Sequence, residues 1–113
     1  MTAAIDNDEM AKIALLLPRV VIKVSAEWCG PCKAIQPQYN LLADSEQHKN
    51  YVFYHLDLDR APNFCEKYNI VSLPTFIVFH EGSENARVVG AKIEDLKAAL
   101  LNSSNEANST SAV

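Results

Sequence analysis

The feature that most limits the fold of this chain is the run of β-branched residues RVVIKVS at positions 19–25. Apolar side chains follow one another there with little alternation, which is typical of a strand covered on both faces. Such a strand needs helices in the connections around it. The sequence supplies helical patterns on either side, at 7–17 and at 31–49. These patterns predict an α/β fold in which the strand at 19–25 is covered on both faces.

Further strand and helix patterns alternate along the rest of the chain, at positions 51–58, 61–69, 75–80, 86–90 and 92–101. Strand–helix–strand connections favour parallel pairing through right-handed crossovers, whereas the short loop before the last strand favours an antiparallel hairpin. We therefore expect a mixed sheet of four to five strands flanked by helices on both faces. Residues 1–102 would form a single domain, and the polar segment 103–113 a disordered tail.

Composition limits the partners and the compartment that we expect. The 113 residues carry a formal net charge of −4 without a cluster of Lys and Arg, so we expect no nucleic-acid partner. The longest apolar stretches are far too short to cross a bilayer. The acidic N-terminus also lacks the pattern of a secretory signal. We therefore expect a monomeric, cytoplasmic protein that does not bind a membrane.

Two cysteines three positions apart, Cys29 and Cys32, are the strongest candidates for chemistry. The helical pattern begins directly after Cys29, so its sulfur would lie where free N–H groups and the helix dipole stabilise a thiolate. Cys32 lies about one turn into that helix, within reach of a disulfide. Gly30 would let the backbone turn closely, and Pro31 fits the first helical position. This arrangement predicts a nucleophilic thiol followed by a resolving thiol.

Other roles for the cysteines fit the sequence less well. A structural zinc site needs four ligands, and the third cysteine, Cys65, and the three histidines have no paired spacing. An iron–sulfur cluster would require a fourth thiolate. A structural disulfide across so short a loop constrains the unfolded chain little and is rare in the cytosol. We expect no metal, and Cys65 to be a small buried hydrophobe or, alternatively, a regulatory or dimer-forming thiol.

Three motifs resemble those of the thioredoxin family, WCGPC at 28–32, SLPTF at 72–76 and VVGA at 88–91. The resemblance runs from about residue 5 to residue 101 and implies the thioredoxin fold. It implies a surface-exposed nucleophile at Cys29 that forms a mixed disulfide with a target protein, and a buried Cys32 that then releases the reduced target. It further implies that the Cys29–Cys32 disulfide is recharged by an NADPH-dependent thioredoxin reductase, with no bound cofactor.

The resemblance also implies a surface that receives target proteins. A cis peptide bond before Pro74 would bring the backbone of Leu73 beside the sulfurs, where it can pair with an extended substrate strand. The residues implied for this surface are Trp28, Gly30, Pro31, Leu73, Pro74, Thr75, Gly90 and Ala91. The same surface would also suit a protein-interaction module in which redox chemistry is incidental. An isomerase or a glutathione-linked relative fits less well, because those proteins commonly carry another dipeptide between the cysteines.

The sequence departs from the family beneath the cysteine pair. The family usually has a buried aspartate where this chain has Lys23, and a lysine on the neighbouring strand where this chain has His55. Burial would lower the pKa of Lys23 and allow its neutral amine to accept the Cys32 proton. Alternatively, a charged Lys23 pairs with Asp57 or extends along the strand to solvent. We expect a proton relay that is altered rather than lost and that involves Lys23, His55 and Asp57.

Overall fold

The computed structural model describes residues 2–112, with side chains described as far as residue 102. The five strands are β1 (Ala3–Ile5), β2 (Arg19–Ser25), β3 (Val52–Asp57), β4 (Thr75–His80) and β5 (Ser83–Val89). The four α-helices are α1 (Asp8–Ala14), α2 (Gly30–Ala43), α3 (Pro62–Lys67) and α4 (Ile93–Ala112). A short 3-10 turn, Glu46–His48, follows α2.

The strands form one mixed sheet in the order β1-β3-β2-β4-β5. β3 runs parallel to both β1 and β2, whereas β4 is antiparallel to β2 and to β5. The predicted mixed sheet and its final hairpin are therefore confirmed. The sequence patterns missed β1, since three residues are too few to show a periodicity.

The central strand β2 is covered on both faces, as its β-branched run predicted. Val20, Ile22 and Val24 pack into a core shared with α1 and α3. On the opposite face, Val21 packs into a core shared with α2 and α4. The remaining inward position on that second face is Lys23, so a charged residue occupies a layer that is otherwise apolar.

The helices begin where local hydrogen bonding favours them. Asn7 caps α1, because its side-chain oxygen accepts the N–H of Met10 at 2.8 Å, and two acidic residues follow in the first turn. The cap of α2 is Cys29, whose side chain accepts the N–H of Cys32. The chain thus places a sulfur, rather than an oxygen, at the start of the helix that packs over Lys23.

The last helix differs from the prediction. The apolar spacing predicted a helix ending at residue 101, whereas α4 extends to Ala112. The side chains of residues 103–113 lie outside the described part of the structure, so the disordered tail remains a prediction. Within the described residues, no helix combines the length and apolar character that crossing a bilayer requires.

The redox-pair site

Cys29 and Cys32 form a disulfide at the N-terminus of α2. Their sulfurs are 2.28 Å apart and their Cα atoms 5.3 Å apart. The N–H of Cys32 donates to the Cys29 sulfur at 3.2 Å, and no acidic side chain occupies the first turn of α2. Free N–H groups and the positive end of the helix dipole therefore face the Cys29 sulfur, and both would stabilise it as a thiolate.

The pair is more enclosed than the resemblance implied. Only 6% of Cys29 and 1% of Cys32 are exposed. Ala26, Leu58 and Leu73 pack around the two sulfurs, which explains why Cys29 is not a surface residue in the disulfide form. The order of accessibility still matches the expectation, because Cys29 is the more accessible cysteine.

An open groove of about 570 Å³ leads to Cys29. Trp28 borders this groove and is 72% exposed, so its side chain is not part of the hydrophobic core. The residues lining the groove are Trp28, Cys29, Gly30, Pro31, Leu58, Ile70, Val71 and Leu73. Leu58, Ile70 and Val71 were not predicted from the sequence, because they lie in loops distant from the cysteines along the chain. The sequence feature that could have indicated them is the pair of apolar residues Ile70 and Val71, which directly precedes the SLPTF motif.

Gly30 plays a different part from the one expected. Beyond the adjacent residues and the backbone of the helix, a Cβ atom at this position would meet no atom within 4 Å, and the φ of Gly30 is not in the left-handed region. The backbone therefore does not require glycine there, although the missing side chain leaves the groove wider beside Cys29. Gly90 does have a positive φ of 103°, as a turn glycine should.

The target-binding surface implied by the resemblance also includes residues 73–75 and 90–91, and this part of it is only partly exposed. The Leu73–Pro74 peptide bond is cis, as the resemblance implied. The N–H of Gly90 donates to the Pro74 carbonyl at 2.8 Å, which places Gly90 and the exposed Ala91 next to this turn. Thr75 is 1% exposed, and its hydroxyl donates to the Ser72 carbonyl at 2.6 Å. The Thr75 side chain therefore points away from any partner in the groove.

Lys23 lies directly beneath the pair and is 2% exposed. Its Nζ donates to the carbonyl of Cys32 at 2.9 Å and also to the side-chain oxygen of Gln36. Burial lowers the pKa of Lys23 to about 8. The alternative in which Lys23 extends along the strand to solvent is wrong, because only 2% of this residue is exposed.

The hydrogen bonds that the structure shows for His55 and Asp57 go to residues other than Lys23. His55 is opposite Lys23 in the sheet, but its Nδ1 is hydrogen-bonded to the Thr2 hydroxyl at 2.8 Å. The Asp57 carboxylate accepts the N–H of Asp59 at 2.8 Å, and no ion pair joins it to Lys23 within residues 2–112. The partner that sequence reasoning missed is Gln36, one helical turn after Cys32 on α2.

Cys65 is buried in α3, as one of the two expectations stated. Burial raises the pKa of its thiol to about 11, and the nearby carboxylates of Asp8, Asp57 and Asp59 add to this effect. A thiol with these properties is inert at neutral pH, which argues against a regulatory role. Within the described residues, no three potential metal ligands cluster together.

Comparison with known proteins agrees with this geometry. The family model described as Thioredoxin matches residues 4–102. The chain belongs to the thioredoxin family. Thioredoxin Asp f 29 of Aspergillus fumigatus is 41% identical over 81 residues, covering 72% of this chain and 74% of the relative. Thioredoxin-2 of Saccharomyces cerevisiae is likewise 41% identical over 81 residues, covering 72% of this chain and 76% of the relative.

A solved structure supports the same assignment. The thioredoxin of Malassezia sympodialis superposes with a TM-score of 0.84 at 31% identity, over 90% of both chains. Family and geometry together make this protein a protein-disulfide oxidoreductase that acts through the Cys29–Cys32 pair. The comparisons do not favour the alternative of an interaction module with incidental redox chemistry.

Proposed function

We propose that this member of the thioredoxin family is a general reductant of protein disulfides in the cytosol. It would act as a monomer and be recharged by an NADPH-dependent reductase. The observation that carries the proposal is the Cys29 sulfur at the start of α2, 3.2 Å from the N–H of Cys32. A pair that donates electrons must be kept as a dithiol, and the reducing poise of the cytosol favours that state.

The proposed reaction proceeds in two exchange steps. The Cys29 thiolate attacks one sulfur of the target disulfide, so that the target S–S bond breaks and a mixed disulfide forms. The other target sulfur leaves as a thiolate and takes up a proton. The Cys32 thiolate then attacks the Cys29 sulfur, forms the Cys29–Cys32 disulfide and releases the second target thiol. Two electrons have then moved from the pair to the target.

We assign target binding to the groove beside Cys29. Its apolar lining and the exposed Trp28 suit the residues that flank a target disulfide. The backbone of Leu73 would pair with the extended target segment. Gly90 and Ala91 would border the same segment, because a backbone hydrogen bond fixes Gly90 to Pro74. Thr75 would contribute only through its backbone, since its side chain is buried.

A Cys32→Ser variant tests the two-step reaction. The attack by Cys29 remains possible, but the second step lacks its nucleophile, so the mixed disulfide should accumulate. We expect incubation with insulin to give adducts that appear on non-reducing gels and disappear with dithiothreitol. The matched control is the double variant Cys29→Ser/Cys32→Ser, which should give none. Failure of Cys32→Ser to form more adduct than this control would contradict the scheme.

A further inference from the structure

A buried amine is fixed directly under the redox pair. The Lys23 Nζ donates to the Cys32 carbonyl at 2.9 Å and to the side-chain oxygen of Gln36. The Gln36 side chain is oriented in turn by Asn40, whose oxygen accepts its Nε2 at 2.8 Å. Both hydrogen-bond partners of Nζ are therefore oxygen atoms that accept hydrogen bonds. An ammonium group has only donors, so this environment suits the charged form of Lys23. The amine contacts the main chain of Cys32 and not a sulfur, so Lys23 is not itself a catalytic residue.

The charge of the Lys23 amine at neutral pH determines whether it can accept a proton or acts mainly as a positive charge. Burial brings the pKa of Lys23 down to about 8, so roughly nine amines in ten still carry a proton at pH 7. A protonated amine cannot accept the proton of Cys32. The neutral-amine relay considered from the sequence is therefore a minority state at pH 7, and the main influence of Lys23 is its positive charge.

Few other groups around Lys23 change charge in the same pH range. Tyr39, packed against β2 from α2, has a pKa raised well above its usual value by burial. On β3, burial and the charge of Lys23 lower the pKa of His55, with Asp6 opposing that shift. The Asp57 carboxylate on β3 accepts the backbone N–H of Asp59. The β4 residue opposite Lys23 is the apolar Phe76. Between about pH 7 and 9, Lys23 is therefore the group beneath the pair that titrates.

We propose that Lys23 acts as a buried cation that stabilises the thiolate of the reduced Cys29–Cys32 pair and thereby makes the pair easier to reduce. This inference rests on the exchange function proposed above. In the reaction with glutathione, two glutathione thiols lose two electrons and become glutathione disulfide, and the protein S–S bond breaks. One protein sulfur takes up a proton, and the other remains a thiolate near the Lys23 ammonium. The second proton goes to solvent.

The effect should be confined to a window of pH. At acid pH both sulfurs of the reduced pair are neutral thiols, so a nearby cation changes their stability little. Above the pKa of Lys23 the amine loses its charge and the stabilisation is lost. The largest effect therefore lies between these limits, near pH 7.5. A purely structural contribution of Lys23 would shift the equilibrium equally at all pH values.

The test compares the equilibrium constant for reduction by glutathione in the wild type and in variants between pH 5.5 and 9.5. For Lys23→Met we expect a threefold to fivefold decrease near pH 7.5, equivalent to roughly 15–20 mV. This range assumes that the cation shifts the thiol pKa by about one unit. The Met and wild-type values should converge at both ends of the pH range. The second variant, Lys23→Gln, keeps a donor for the Cys32 carbonyl and should behave like Lys23→Met, which would assign the effect to charge.

Lys33→Met is the matched control, because Lys33 follows Cys32 on α2 but is exposed to solvent, where its charge is screened. Its equilibrium constant should stay within about twofold of the wild type. Equal constants for wild type and Lys23→Met at pH 7.5 would overturn the inference, as would an offset that is constant with pH. If the wild type itself failed to equilibrate with glutathione or to reduce insulin, the exchange function would fail, independently of Lys23.

Discussion

Cys29→Ser is expected to reduce the rate of insulin-disulfide reduction to the background rate of the dithiothreitol in the assay. Exchange requires a thiolate, and a serine hydroxyl does not ionise near neutral pH. Cys32 cannot replace the missing nucleophile, because it is 1% exposed and lies behind the first turn of α2. The expected loss is therefore essentially complete, because no second thiol of the pair can start the exchange.

The matched control for this variant is Cys65→Ala. Cys65 is the third cysteine, packed in the core shared with α1 and α3, on the face of the sheet opposite α2. Its removal should leave the insulin reduction rate close to the wild-type rate. Activity of Cys29→Ser at more than about a tenth of the wild-type rate would contradict the assignment of Cys29 as the attacking thiol.

Phe76→Ala is expected to lower the free energy of unfolding by about 3–5 kcal/mol. Phe76 is fully buried on β4 and pairs with Lys23 across the sheet. Its ring centroid lies 5.4 Å from that of Tyr39, which anchors α2 by donating its hydroxyl to the Tyr54 carbonyl at 2.7 Å. Truncation would leave a cavity between the sheet and α2, the helix that contains Cys32 and is capped by Cys29. Urea unfolding followed by circular dichroism measures the change.

The control for this prediction is Leu16→Ala, at an 81% exposed position after α1, where we expect a change within about 0.5 kcal/mol. If Phe76→Ala cost no more than Leu16→Ala, the layer between β4 and α2 could not be the packed core described. Loss of Phe76 should also slow insulin reduction at temperatures where the variant begins to unfold, because the geometry at the start of α2 depends on that core.

Features determined by neighbouring residues were predictable from the sequence. The β-branched run at 19–25 identified a strand covered on both faces, because a strand buried in this way is apolar at nearly every position. The spacing of Cys29 and Cys32 identified the redox pair, because one helical turn separates them. In contrast, β1 is held mainly by its pairing with β3, and its three residues carry no pattern of their own.

Features that depend on packing between distant segments could not be predicted in the same way. The groove joins loop residues such as Leu58 and Val71 to the cysteine motif, and only the fold brings them together. The sequence showed that Lys23 interrupts an apolar run, but its hydrogen bond to Gln36 depends on how α2 crosses β2. The expected role of His55 came from the family resemblance and that of Asp57 from strand alternation. Neither shows which hydrogen bonds a side chain makes.

The most direct test of the central claim measures the alkylation rate of each cysteine in the reduced protein by peptide mass spectrometry, with iodoacetamide, from pH 4 to 10. If the start of α2 holds Cys29 as a reactive thiolate, Cys29 should be labelled first. Its reactivity should rise with a midpoint at least about one pH unit below the value of about 8.5 for free cysteine. Cys65 should remain unlabelled until the protein is denatured, because burial raises its pKa to about 11. A Cys29 midpoint at the free-cysteine value, or labelling of Cys32 before Cys29, would contradict the account.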